Sequence, residues 1–314
     1  MAKDTETKFK TSIGGQALIE GIMMRGPKKQ AIGIRSGDEI VMKVEDLDPI
    51  SKRHPILGLP FIRGVVSFIS SMVNGMKAIT YSAEFIPEDE QEEPTKLDLW
   101  IEEHFEEEKA EQLIIGLAVF LGIALAVLLF FMLPTILTGL FAKSVESSVA
   151  KNLIESLIRI TIFIIYLKLV SGMKEISRMW QYHGAEHKTI FCYEKEMELT
   201  VENVRIQSRF HPRCGTSFLL IVMLVSILVF SFTGWKNVWM RIVMRLLLLP
   251  VVVGISYEIL RLAGRYDNVA TRIISAPGKA LQRLTTAEPD DSMIEVAIAA
   301  MKEVIPEEKG TDLW

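Results

Sequence analysis

The residues best suited to chemistry lie in one window, from 180 to 215, where WQYHGAEHKTIFCYE is followed by RFHPRCGTSF. Three of the five histidines and both cysteines fall within it. His183, Glu186 and His187 are spaced H-x-x-E-H, which on a helix sets two imidazoles at i and i+4 on one face with a carboxylate beside them. That arrangement suits a metal ion with a proton carrier at hand. His211 and Cys214 follow, three residues apart with Pro212 fixing the backbone between them, and offer further donors to the same ion.

The same spacing is that of the inverted zinc-protease signature, in which two histidines bind zinc and the glutamate handles a proton. A third ligand is required, and the residues leave His211, Cys214, Glu194 on the helical face of His187, and the distant Glu20 all open. The plainer reading is a pair of interfacial histidines hydrogen-bonded to headgroups or backbone. The clustering of donors favours a divalent metal, zinc by ligand chemistry, although a structural site uses the same ligands as a catalytic one. Two cysteines are too few for a disulfide framework and suit reduced thiols facing the cytoplasm.

These residues must be positioned by a largely apolar chain. Of its 314 residues 49% are apolar, and they are distributed unevenly enough that much of the apolar surface is expected to face lipid. A net charge of −4 gives no support to nucleic-acid binding. The first dozen residues are polar and lack the apolar core of a signal peptide, so a retained, cytosolic N-terminus is expected. IGGQALIEGIMMRGP then places four glycines around Glu20 and Arg25, either as a Gly-rich β segment or as part of a site. Residues 31 to 46 alternate apolar and polar about Ser36-Gly37-Asp38, which predicts a hairpin. Residues 61 to 86 have helical periodicity interrupted by Arg63, Asn74 and Lys77, as expected of a helix lying on a membrane rather than crossing it. An acidic linker occupies 87 to 112, with a helical portion near 97 to 109.

Leu113 to Phe141 carries no charge and exceeds the roughly 20 residues needed to span a bilayer. Further spans are expected at Leu153 to Gly172, Thr216 to Phe232 and Met240 to Leu262, the last containing Pro250 and Glu258. Four spans put both termini on one side. Lys174, Arg178, Lys188, Lys195, Arg205, Arg209 and Arg213 fill the central loop, and Arg261, Arg265, Arg272, Lys279 and Arg283 open the tail. The outer turns hold only Lys143, Lys151, Lys236 and Arg241, so the positive-inside rule faces the histidine loop and both termini to the cytoplasm. The tail ends in an amphipathic helix with Asp291 or Ser292 as its expected N-cap.

The strings GGQALIEGIMMRG, YHGAEHKTIFCYE, HPRCGTSF, GISYE and TTAEPDDSMIEVAIAAM, in this order, resemble the YqhQ-like family of bacterial integral membrane proteins. The resemblance covers nearly the whole chain. It implies a multi-pass protein of the bacterial cell membrane, described by prediction as a metal-dependent enzyme. The metal residues it implies are His183, Glu186, His187, His211 and Cys214, with Glu20, Arg25 and Glu258 as further motif positions. The expected fold is mainly α: a polytopic helical membrane protein with about four transmembrane helices and a small N-terminal β-containing cytoplasmic segment. Its divisions are 1–60, an interfacial helix at 61–86, the linker at 87–112, a transmembrane hairpin at 113–172, the His/Cys loop at 173–215, a second hairpin at 216–262 and a tail at 263–314. The expected partners are the lipid bilayer and a lipid-linked or membrane-protein substrate, with room for an oligomer. Two functions follow: a hydrolase at the cytoplasmic membrane surface with Glu186 as its catalytic residue, or a membrane scaffold or biogenesis factor with a structural metal site.

Overall fold

A computed structural model describes residues 7–48, 54–86, 95–232, 238–266, 268–308 and 310–314; part of the expected acidic linker, 87–94, lies outside them. The expected hairpin is formed by strands β3 (Lys29–Ser36) and β4 (Glu39–Asp46). Gly37 in their turn has φ 60°, the left-handed conformation a two-residue hairpin turn demands. The Gly-rich run forms two more strands, β1 (Gly14–Leu18) and β2 (Gly21–Arg25), so the sheet is an antiparallel meander of order β1-β2-β3-β4. Of the two readings of that run, a β segment or part of a site, the strands bear out the first; β2 is buried on both faces and so lacks the alternation that signals a half-exposed strand.

The helices are α1 (Ile62–Ala83), α2 (Lys96–His104), α3 (Glu107–Val127), α4 (Leu133–Phe141), α5 (Ser148–Val170), α6 (Lys174–Glu194), α7 (Val201–Arg205), α8 (Gly215–Phe230), α9 (Val238–Arg265), α10 (Val269–Thr285) and α11 (Asp291–Val304). A π-helical turn, Leu128–Met132, joins α3 to α4. The chain is therefore mainly helical with an N-terminal four-stranded antiparallel sheet. It divides into two compact units, the first made of Met1–Ile86, Leu167–Ser226 and Leu248–Trp314, the second of Pro87–Tyr166 and Ile227–Leu247.

In the first unit the sheet is covered on both faces. Leu18, Met23, Ile32 and Ile34 pack with Ala78, Ile79 and Tyr81 of α1. From the other face Ala17, Ile22, Met24 and Ala31 meet Tyr182, Ala185 and Cys192 of α6 and Met293, Ile294, Val296, Ala297 and Met301 of α11. At about 1.5–3 kcal/mol for each large apolar side chain removed from water, this second layer is the main stabiliser of the unit. The tail helix is thus a core element. Its N-cap is Asp290, one residue earlier than expected: the Asp290 backbone is extended and its carboxylate accepts the Met293 N–H at 2.9 Å, while the Ser292 hydroxyl donates to that carboxylate at 2.7 Å.

The second unit carries the apolar helical stretch Gln112–Phe141. Gln112–Phe141 and Trp239–Arg265 are long and apolar enough to cross a membrane, whereas α8 is apolar but only 16 residues long. Within this unit Glu155 is buried and held by Arg245, by Arg159 at 2.9 Å and by the Thr135 hydroxyl at 2.9 Å.

Candidate metal centre

The expected helix through the H-x-x-E-H string is α6, which buries every residue from Tyr182 to Ile190. Its close packing begins at Gly184, where a Cβ would stand 2.0 Å from the Ala287 carbonyl oxygen. The absent side chain lets the strand of chain from Thr285 to Pro289 lie against the helix, tied by Ala287 N–H to the Trp180 carbonyl at 2.8 Å. That segment brings the Thr285 carbonyl within 2.7 Å of His183 Nδ1. The Arg209 carbonyl likewise sits 2.5 Å from His187 Nδ1. A carbonyl at each Nδ1 calls for a proton on that nitrogen and turns Nε2 toward the other donors, the orientation in which histidines ligate metals.

The two Nε2 atoms converge with the Cys214 sulfur; the three donor atoms lie within 4.8 Å of one another. His183 Nε2 stands 3.1 Å from the sulfur, and His187 Nε2, fully buried, has no hydrogen-bond partner among the described residues. Burial pushes the Cys214 thiol up, but the neighbouring His187 and hydrogen bonds with Thr216 outweigh it and bring the thiol below its usual range. Burial also lowers the pKa of His187, keeping its imidazole neutral and able to ligate.

Glu186 is buried beside this trio, and its Oε2 has no hydrogen-bond partner among the described residues. Burial raises its pKa to about 7, against the opposing pull of His183 and of the Gly15 amide. Gly15 of β1 closes over the carboxylate: a Cβ there would lie 3.0 Å from Glu186 Cδ and 2.7 Å from the Met23 carbonyl oxygen. All four residues open on one cavity of 430 Å³, whose wall includes Gln16, Trp180, Leu219 and Trp314. Unpartnered buried Nε2 and carboxylate atoms, next to a thiol and a cavity, fit a divalent ion of borderline softness.

The remaining expected site residues lie outside the three-donor cluster. His211 lines the same cavity but is not part of the three-donor cluster; it belongs to a buried group in which Arg213 binds Glu194 and reaches His211 Nε2 at 3.3 Å. Burial, with Arg213 and Lys279, holds its pKa well below the usual histidine value. Glu194, one of the possible third ligands, is occupied by Arg213 and by the Thr11 N–H at 2.8 Å. Glu20 occupies the β1–β2 turn at φ 50° with both oxygens bound by Arg178. Arg25 lines a second cavity, and Glu258 is paired with Arg63 at 2.5 Å. Of the ligands left open, the geometry selects Cys214. The Thr285 and Arg209 carbonyls could not be found by motif reasoning, since a backbone acceptor has no residue signature.

A family model described as "Protein of unknown function (DUF1385)" matches residues 59–307. Over 306 residues the chain is 34% identical to "Uncharacterized protein YqhQ" of Bacillus subtilis (strain 168), covering 95% of this chain and 93% of that protein. No solved structure matches. A family match from before α1 to beyond α11, and a relative similar along nearly its whole length, place the chain in one family: it belongs to the DUF1385 family and is YqhQ-like.

Proposed function

We propose that this protein is a membrane-embedded, metal-dependent hydrolase whose site opens at the cytoplasmic membrane surface. The observation that carries the reading is the convergence of His183 Nε2, His187 Nε2 and Cys214 Sγ beside a buried, unpartnered Glu186 oxygen. Three protein ligands with one position left for water are the signature of catalytic rather than structural zinc. A divalent ion held there supplies Lewis acidity that lowers the pKa of water toward about 7.

The chain's own residues do the rest. Thr285 and Arg209 orient the imidazoles through their carbonyls. Glu186, with its pKa of about 7, takes a proton from the attacking water and returns it to the leaving group. Trp180, Leu219 and Trp314 give the cavity apolar walls suited to a lipid-linked or membrane-protein substrate. For the membrane topology, α3 with α4, α5, α8 and α9 act as four spans, with both termini and the histidine loop cytoplasmic by the distribution of Lys and Arg. Exposed Phe120, Leu121, Ile123 and Leu125 on α3 support a lipid-facing surface.

The test is elemental analysis of the full chain purified in detergent, beside its His183→Ala, Cys214→Ser and Glu186→Gln variants. The expected result is about one equivalent of zinc in the parent and in Glu186→Gln, and loss of metal in the two ligand variants, which remove one of three protein ligands. Glu186→Gln is expected to fail in complementing a deletion strain while keeping its metal. Metal-free parent protein overturns the site. Unfolding on metal loss, with function intact in Glu186→Gln, assigns the cluster to a structural role in a scaffold or biogenesis factor.

A further inference from the structure

Helix α10 divides lengthwise into two sides. Its buried side is formed by Ser275, Gly278, Leu281, Gln282 and Thr285. A Cβ at Gly278 would lie 2.4 Å from the Ser217 hydroxyl of α8. Gln282 exchanges two hydrogen bonds with the His211 backbone, accepting its N–H at 2.8 Å and donating to its carbonyl at 2.7 Å. These contacts fix the rotation of the helix about its axis. The opposite side is turned out of the fold, yet it carries Val269 and Ile273, 73% and 66% exposed, at i and i+4, with Ala280 and Leu284 continuing the row at i+11 and i+15. Beside that apolar row runs a basic one of exposed Arg272, Lys279 and Arg283, at i, i+7 and i+11. No Asp or Glu lies within α10. In a chain of net charge −4, residues 261–285 hold five basic side chains and one acid, so the sorting of charge is local.

An exposed apolar row flanked by cations matches a lipid surface with anionic headgroups, where apolar side chains enter the acyl boundary and Lys and Arg meet phosphates. A soluble anion would satisfy the cations and leave Val269 and Ile273 in water. The place of α10 in the chain selects the same occupant. Trp239–Arg265 of α9 is apolar and long enough to cross a membrane, and the three residues between Arg265 and Val269 can carry the chain at most about 14 Å. A capping box between Asn268 and Thr271 starts the new helix there. Given the crossing of α9 proposed above, α10 begins at the bilayer surface. We propose that α10 is a membrane-surface helix that binds anionic phospholipid, with Val269 and Ile273 in the acyl boundary and Arg272, Lys279 and Arg283 on the headgroup phosphates. Its buried side carries the Thr285 carbonyl to His183, so the same helix holds one edge of the candidate metal centre at that surface.

The test attaches an environment-sensitive fluorophore through Ile273→Cys in the full chain, reconstituted in nanodiscs of phosphatidylcholine with or without phosphatidylglycerol, and quenches it with lipids brominated on their acyl chains. Val251→Cys, at an exposed position of α9, reports the span, and the parent, whose Cys192 and Cys214 are buried, supplies the blank. Ile273→Cys is expected to be quenched, more strongly with phosphatidylglycerol, and high salt should remove the added quenching by screening surface charge. Lys279→Gln/Arg283→Gln in the Ile273→Cys background should lose the added quenching and keep the parent's thermal unfolding, since both side chains are exposed. Quenching at Val251→Cys without quenching at Ile273→Cys overturns the proposal and leaves the membrane reading standing; no quenching at either overturns that reading as well. Equal quenching in the two lipids, or added quenching that survives Lys279→Gln/Arg283→Gln, overturns the anionic preference. Protection of Ile273→Cys from a water-soluble quencher without quenching by lipid identifies a protein surface, a second copy included, and overturns the lipid as occupant.

Discussion

Each unit buries a glutamate from the middle of a helix, Glu186 in the first and Glu155 in the second, and their surroundings differ in kind. Glu155 has both oxygens engaged, by Thr135, Arg159 and Arg245. Glu186 has an oxygen with no hydrogen-bond partner among the described residues, two histidines nearby and a cavity in front of it. A carboxylate answered by cations holds helices together, and its desolvation is offset within the protein. One left unanswered in a dry site has its pKa raised and is available to a ligand or a proton. The difference is one of packing: one cluster answers its buried charge within the protein and the other leaves it unanswered.

The largest effect should come from breaking the satisfied cluster. Glu155→Gln leaves Arg159 and Arg245 buried against a neutral amide and is expected to destabilise the second unit by about 3–5 kcal/mol. Glu186→Gln removes no cation's partner and should change stability by less than about 1 kcal/mol. Chemical or thermal unfolding of the two variants in one detergent measures the contrast, and equal destabilisation would remove the distinction. Metal content sharpens it further, since Glu155→Gln should show the same metal content as the parent as long as the first unit stays folded.

Gly184→Ala should have an intermediate effect. The added methyl meets the Ala287 carbonyl, so overpacking of about 1–3 kcal/mol is expected. Because the displaced segment carries the Thr285 carbonyl that orients His183, zinc affinity should also fall, by about 10–100-fold, as for other outer-shell changes. Competition with a chromophoric chelator reads this directly; unchanged affinity would show that the carbonyl does not orient the ring. A smaller effect than that of Gly184→Ala is expected at Asp290→Ala, which removes the α11 cap at a cost of about 1 kcal/mol and leaves zinc affinity unchanged. A change of zinc affinity there would mean that the site depends on the whole sheet-facing layer rather than on the Thr285–Pro289 segment.

The site's outline was legible because helical periodicity is local: four residues apart on α6 means the same face, whatever else the chain does. The β3–β4 hairpin was legible for the same reason, through Gly37 and two-residue alternation. The β1–β2 run was legible only as one of two readings, a Gly-rich β segment, and the core role of α11 did not announce itself. A strand buried on both faces and a small amphipathic helix show only apolar content, which fits a membrane edge as well as a core.

By itself, then, the sequence determined the pairing of His183 with His187, the adjacent Glu186, the apolar helices and the turn chemistry, all consequences of residue type and short-range spacing. Only the tertiary structure decided that Cys214 completes the donor set, that Glu194 and Glu20 are claimed by Arg213 and Arg178, and that two backbone carbonyls set the imidazole tautomers. Those outcomes depend on contacts between residues tens to more than a hundred positions apart, and such contacts are fixed by how the layers pack around α6 rather than by any local pattern.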